Sequence, residues 1–201
     1  MAWHATLFAM KRRLRHVAAA ALVSTALLGT VAVGSASADP VPSFGFADCP
    51  ALPAGADPAL WRCEELRSTG SARFGGFDGR LAEMTMTFAE GELNGQYAQV
   101  FGALRAEPTR VPGGLLGIPG SEENPLLRLD LRAEYAGYAD FHSDGDRMGE
   151  QHLKFRVISP LLPATCTIGG DDDPIVLKPV RISGPDVIST EPRVLGFTIR
   201  D

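Results

Sequence analysis

Cysteine is scarce in this chain: 201 residues hold three, at Cys49, Cys63 and Cys166. That excludes a disulfide-dense miniprotein and a four-cysteine zinc ribbon. Beyond residue 38 there are only two histidines, His142 and His152. The sequence also lacks G-x-S-x-G, H-E-x-x-H, a P-loop and a dinucleotide fingerprint, so no familiar nucleophile, zinc or phosphate chemistry is written in it. Internal repeats and low-complexity tracts are missing. So is helical patterning: no long stretch joins a 3.6-residue period to a start and a stop. The one exception is a single turn at 57–61, with Asp57 as N-cap and Pro58 following it.

What is present points to a folded, exported protein. Apolar residues make up 45% and charged residues 21%, enough for a packed core and too apolar for a disordered chain. With 22 glycines and 15 prolines, turns are favoured over long helices. Near the start, Lys11, Arg12, Arg13 and Arg15 form a basic cluster, and an uncharged run of 17 residues follows from Val17 to Val33. Ala36-Ser37-Ala38 closes it. Basic, apolar, then A-x-A is the order of a secretory signal. The alternative is an uncleaved anchor, but the run sits at the short end of the ~17–25 residues a spanning helix needs and contains Ser24, Thr25, Gly29 and Thr30. No cysteine lies at the cleavage point, so a lipid anchor is not expected. Met10 directly precedes the basic cluster and is a second candidate start, which would make Met1–Ala9 an extension of the reading frame. Residues 1–38 thus read as a signal peptide and 39–201 as one β domain. Losing four cations and no carboxylate shifts the net charge from −5 to −9. Such an acidic chain has no electrostatic footprint for nucleic acid or anionic lipid, and no later segment is long enough and apolar enough to span a membrane.

Residues 39–60 carry five prolines and read as an extended leading segment. Strand signals follow. Met84, Met86 and Phe88 alternate with threonines, and after Asn94-Gly95 comes Tyr97 to Leu104, which together read as a hairpin. Leu127, Leu129, Leu131, Ala133, Tyr135, Ala139 and Phe141 share one parity, with Arg128, Asp130, Arg132, Glu134 and Asp140 on the other. Leu153, Phe155 and Val157 alternate on the expected partner. Matching apolar with apolar pairs Tyr135 with Leu153, Ala133 with Phe155 and Leu131 with Val157, and predicts a three-residue turn closed by Gly145. Ser68–Phe74, Ile175–Lys178 and Val194–Ile199 are further strand candidates. The expected fold is all-β, an antiparallel sandwich or open barrel of about seven to nine strands. A long loop over 107–125 holds four prolines and four glycines around Leu115, Leu116 and Ile118. It reads either as a loop folded over the sheet edge or as an apolar lip on a binding cleft.

Candidate sites compete with plainer readings. The run from Phe141 to Asp146 contains Ser143, His142 and two aspartates, but a triad needs groups converging from separate elements, and here they share one turn. Asp140-x-His142-x-Asp144-Gly145 fails as a calcium loop because Gln151 stands where a bidentate Glu is required. Asp171, Asp172 and Asp173 are the candidate metal ligands: three adjacent carboxylates repel, and Ca²⁺ would relieve that, although consecutive side chains on an extended backbone point different ways. Of the aromatics, Trp61, Tyr135, Phe141 and Phe155 suit a core as well as a cleft. Tyr138 shares the wet parity and joins Leu115, Leu116 and Ile118 as a candidate binding residue. No catalytic residue is assigned.

The stretches Asp48 to Pro58, Trp61-Arg62-Cys63, Thr87 to Gly91, Tyr135 to Phe141 and Cys166 to Gly169 resemble a group of uncharacterised secreted proteins of high-GC actinobacteria. The resemblance covers most of residues 39–201. It brings no activity and no catalytic residues, and it implies members that run on past residue 201 with a further cysteine. Arginine's excess over lysine fits high-GC coding. From export and spacing, the expected disulfide is Cys49–Cys63. It would close a 15-residue loop poor in strand signals, worth roughly 3 kcal/mol in the chain-entropy picture. The competing pairing is Cys63–Cys166.

The functional expectation is a secreted, non-enzymatic binding or structural module at the cell surface or outside, with no cofactor and an unidentified partner. Two alternatives stand beside it: a secreted hydrolase using Glu134, Asp140 or Glu150, and a calcium-stabilised structural module. The export reading is tested by mass spectrometry of the secreted product, which is expected to begin at Asp39. A membrane-bound, full-length product would contradict it.

Overall fold

The computed structural model describes residues 2–10 and 43–201. The basic cluster, the apolar run and the cleavage point all lie outside the described residues. The eleven strands, in order, are β1 (Ala2–Met10), β2 (Arg62–Phe74), β3 (Phe77–Leu93), β4 (Gln96–Ala106), β5 (Thr109–Arg110), β6 (Asp130–Asp144), β7 (Arg147–Ile158), β8 (Thr167–Ile168), β9 (Ile175–Leu177), β10 (Val180–Thr190) and β11 (Arg193–Arg200). Eight of them have eight or more residues, and β5, β8 and β9 are short edge pieces. The fold is all-β, as the alternation predicts.

The strands run in the order β4-β3-β2-β1-β11-β10-β7-β6-β5, with β8 and β9 added along β7, and each pairing is antiparallel. Among the described residues, ladder pairing joins the three strands β2–β4 to the other seven through β1. The sheet curls so that β2–β3 face β6–β7. Between them lies a core of Phe77, Leu81 and Met84 against Leu131, Leu153 and Phe155. Phe155 and Leu153 are almost wholly buried, worth about 1.5–3 kcal/mol each. On the far side the curl is closed by side chains: Phe101 of β4 stacks on Tyr135 of β6 at 4.0 Å, and Gln99 Oε1 accepts from Phe141 N at 2.9 Å. The result is an open barrel.

The leading segment crosses the outer face as a strap. Phe44 and Phe46 pack on Val194 of β11. Gly45 N and Phe46 N donate to Glu65 Oε2 of β2 at 3.2 and 2.8 Å, and the Arg67 guanidinium lies over the Phe44 ring. Farther along, Asp48 takes a two-pronged contact from Arg105 at 2.5 and 2.6 Å. Gly102 admits the strap: a Cβ there would lie 2.3 Å from Asp48 O. Cys49 and Cys63 are bonded, with Cα atoms 5.8 Å apart, and Cys166 is free. At Asp57 the expected helical turn is one capped turn without a helix, with Leu60 N donating to Asp57 O and Ala59 N to Asp57 Oδ1.

Register follows the sequence where the pattern is long. The Asn94-Gly95 hairpin has both residues at positive φ, 53° and 78°. Leu131 pairs with Val157, Ala133 with Phe155 and Tyr135 with Leu153. The expected three-residue turn, however, is replaced by a two-residue one: Asp144 pairs with Arg147 across Gly145-Asp146. Two register shifts, between Tyr135 and Ala139 and between Asp140 and Ser143, reconcile the two ends. Bulges bend the strand locally, and Gly137 at φ 90° and Gly149 at φ 92° place left-handed backbone at the two shifts, where glycine carries no Cβ penalty. Gly149 is also close-packed, since a Cβ there would lie 2.0 Å from Asp140 O, whereas Gly145 faces open space. Gly149→Ala is therefore expected to cost more than ~2 kcal/mol and Gly145→Ala only about 1, as read by urea unfolding. Equal losses would remove the bulge from the account.

Candidate functional site

The longest apolar alternation in β3 continues into a carboxylate. Met84, Met86 and Phe88 face inward, and Glu90 shares their parity. Cross-strand pairing then assembles a polar row, because Arg62 on β2 lies opposite Glu90, and Glu90 opposite Gln99 on β4. Glu64, two residues beyond Arg62, faces the same way. The side chains of Glu64 and Glu90 are only 9% and 10% exposed.

Buried carboxylates require charged or donating partners. Arg62 supplies them, with Nε 2.5 Å from Glu64 Oε1 and Nη2 in direct contact with Glu90 Oε1. Tyr97 Oη donates to Glu90 Oε2 at 2.6 Å, and Gln99 Nε2 donates to that hydroxyl. The Tyr97 ring lies 4.8 Å from that of His142. Burial, followed by the neighbouring Glu90 charge, pushes Glu64 up to about 7 against the pull of Arg62. Burial and donation to Glu90 also raise the Tyr97 phenol, which stays protonated.

This row forms one wall of a cleft of about 200 Å³ at the end of the barrel. Across from it stand Arg193, Leu195 and Phe197 of β11, and Phe141, Ser143 and Met148 come from the β6–β7 hairpin. Phe141 stacks on Phe88 at 4.0 Å, so the floor is apolar. The Arg193 side chain makes no hydrogen bond or ion pair among the described residues. The cleft thus offers two neighbouring carboxyls, of which Glu64 is pushed up to about 7, together with a guanidinium and an aromatic floor.

The three carboxylates singled out from the sequence lie elsewhere, and neighbouring side chains lower the pKa of each. Hydrogen bonds from Arg156 and Arg132 keep Glu134 below the usual carboxylate range. At Asp140, burial raises the pKa but is outweighed by Arg147 at 2.8 Å. His152 and Lys178 lower Glu150. Asp171 takes an ion pair from Lys154 at 2.7 Å, and among the described residues no three His, Cys, Asp or Glu side chains converge as a metal site would. Asp172 and Asp173 are exposed with Asp171. In the loop 107–125, Leu115 N bonds to Leu127 O at 2.7 Å, while Leu116 and Ile118 are exposed. Tyr138 is 45% exposed, with its ring 4.9 Å from that of His152. None of these four lines the cleft. Phe141 does, and Trp61 instead fixes the chain before β2, with Nε1 donating to Glu92 O at 2.9 Å.

Comparison with family models, curated proteins and solved structures finds no match.

Glu64 holds its proton more tightly folded than unfolded. From the ordinary glutamate range near ~4.5 up to about 7, the folded state binds more protons, so this group's contribution to stability falls as pH rises and levels off above 7. Glu64→Gln removes that slope. The variant's stability relative to the parent is expected to rise by about 2–3 kcal/mol between pH 5 and pH 8, measured by urea unfolding. A difference independent of pH would mean that Glu64 titrates normally.

Proposed function

We propose that the protein acts outside the cell as a non-enzymatic binding module whose ligand site is the cleft between the Arg62–Glu64–Glu90 row and β11. The observation that carries this reading is the satisfied acid pair. Glu64 and Glu90 are already clamped by Arg62 and Tyr97, which makes them a fixed polar wall over an apolar floor. Small-molecule sites combine such a floor with a few convergent polar groups. The matching ligand carries a cation or hydroxyls for the acid pair and an apolar flank for Phe141 and Leu195. Export is supported by the sequence order of residues 11–38 and by the Cys49–Cys63 bond, which persists in oxidising compartments. Among the described residues no helix is long and apolar enough to cross a membrane.

One observation favours a hydrolase as the second reading: a carboxyl that keeps its proton near neutrality beside a second carboxyl is the arrangement acid catalysis uses. NMR titration of the secreted protein with cell-wall fragments, glycans and lipids separates the two. The binding reading expects saturable shifts at Phe141, Leu195 and Glu64 without turnover. Turnover abolished by Glu64→Gln would replace it with the hydrolase, and shifts confined to the 107–125 loop would move the site there.

A further inference from the structure

We infer that the slot between β2 and β11 is a strand-acceptor site in the exported protein, filled by an extended segment of a partner polypeptide through backbone pairing. The inference rests on the export reading: a chain cut after Ala38 loses Ala2–Met10, the strand that fills the slot here.

β1 pairs antiparallel on both sides. Phe8 lies opposite Leu66 and Leu195, Ala9 opposite Glu65 and Val194, and Met10 opposite Glu64 and Arg193. Neighbouring strands are ~4.8 Å apart, so removing one leaves walls ~9.6 Å apart, the width of a single strand. Both walls then carry unpaired N–H and C=O groups, the template that strand addition uses.

The slot is held open by contacts that do not involve β1. On the outer side the strap joins the two walls: Phe44 and Phe46 sit on Val194 of β11, while Gly45 N and Phe46 N bond to Glu65 of β2. The strap is tied to β2 by the Cys49–Cys63 bond. On the inner side, Ile199 of β11 packs on the Leu66–Met86–Phe88–Phe141 cluster. Roof and floor keep the walls apart.

The protein's own new N-terminus cannot fill this space. Cleavage after Ala38 leaves four residues ahead of Ser43, Asp39 to Pro42. They span ~14 Å against the ~30 Å of a nine-residue strand, and Pro40 and Pro42 have no N–H to donate. We assign the occupant to another chain, and the register sets its chemistry. A large apolar side chain suits the Phe8 position between Leu66 and Leu195. A small one suits the Ala9 position beneath the strap. At the Ala5 position the wall carries Ser68, whose buried Oγ has no hydrogen-bond partner, so a polar side chain would be accepted there. The strand ends between Glu64 and Arg193 at the cleft, and the net charge of −9 after cleavage favours a basic residue just beyond Met10.

The test uses the exported protein purified from culture medium, its N-terminus read by mass. The probe is a synthetic peptide of residues 2–13, which carries the β1 sequence and Lys11-Arg12-Arg13. A product beginning at Asp39 is expected to bind the peptide one to one, with a rise in Tm that saturates with peptide concentration. Ala9→Pro or Phe8→Asp in the peptide should weaken binding at least ~10-fold, by loss of a ladder donor or of the apolar contact. No binding to a product that begins at Asp39 would overturn the inference and leave the export reading intact. A product that retains residues 2–10 would overturn both, because the slot is then filled in cis. A peptide-blocking dimer in sedimentation would assign the slot to a second copy and overturn the partner.

Discussion

Two strands, β2 and β11, lie on either side of β1, and the architecture depends on how their hydrogen-bonding edges are satisfied. Backbone N–H and C=O groups must pair or be solvated, and a bare edge inside a sheet does neither well. In this structure β1 satisfies both edges and joins three strands to seven. The same geometry explains the strap. A segment with Phe44 and Phe46 on one wall and backbone bonds to Glu65 on the other can hold the walls at a fixed distance. The disulfide then keeps the strap at that height, which gives the Cys49–Cys63 bond a role beyond loop closure.

The cleft lies at the end of the same pair of strands. Glu64 pairs in register with Met10, and so does Arg193 from the other side. Whatever enters between β2 and β11 therefore meets the site where protonation changes near neutrality. In the proposed acceptor, strand pairing and charge recognition would coincide, because both are built on the first residues of β2 and β11.

Much of this was legible in the sequence. The β6–β7 register followed from apolar parity, and the Asn94-Gly95 turn from its need for positive φ. The Cys49–Cys63 pairing followed from export and spacing. The β6–β7 turn was misread because a three-residue loop and a two-residue loop with two bulges give the same register at Tyr135–Leu153. The bulges reside in Gly137 and Gly149, which look like ordinary strand glycines. β10 escaped because Gly184-Pro185 interrupts any alternation. Pro is tolerated there because β10 meets β7 through one residue pair only. The site residues were missed for a different reason. Glu134, Asp140 and Glu150 stand on visible wet faces, whereas Glu64 and Glu90 occupy apolar-face positions. A carboxylate that continues the Met84–Met86–Phe88 parity was the available signal, and its partner Arg62 could be placed only by cross-strand register.

The most direct measurement is amide hydrogen exchange along β2 and β11, compared between the intact chain and the exported product. In the intact chain, Glu64–Ser71 and Arg193–Arg200 amides facing β1 should be protected like those of the core. In a product that begins at Asp39, those amides should exchange freely, while the β2 amides facing β3 stay protected. Equal protection in both forms would mean that β2 and β11 close on each other, and the slot would not exist.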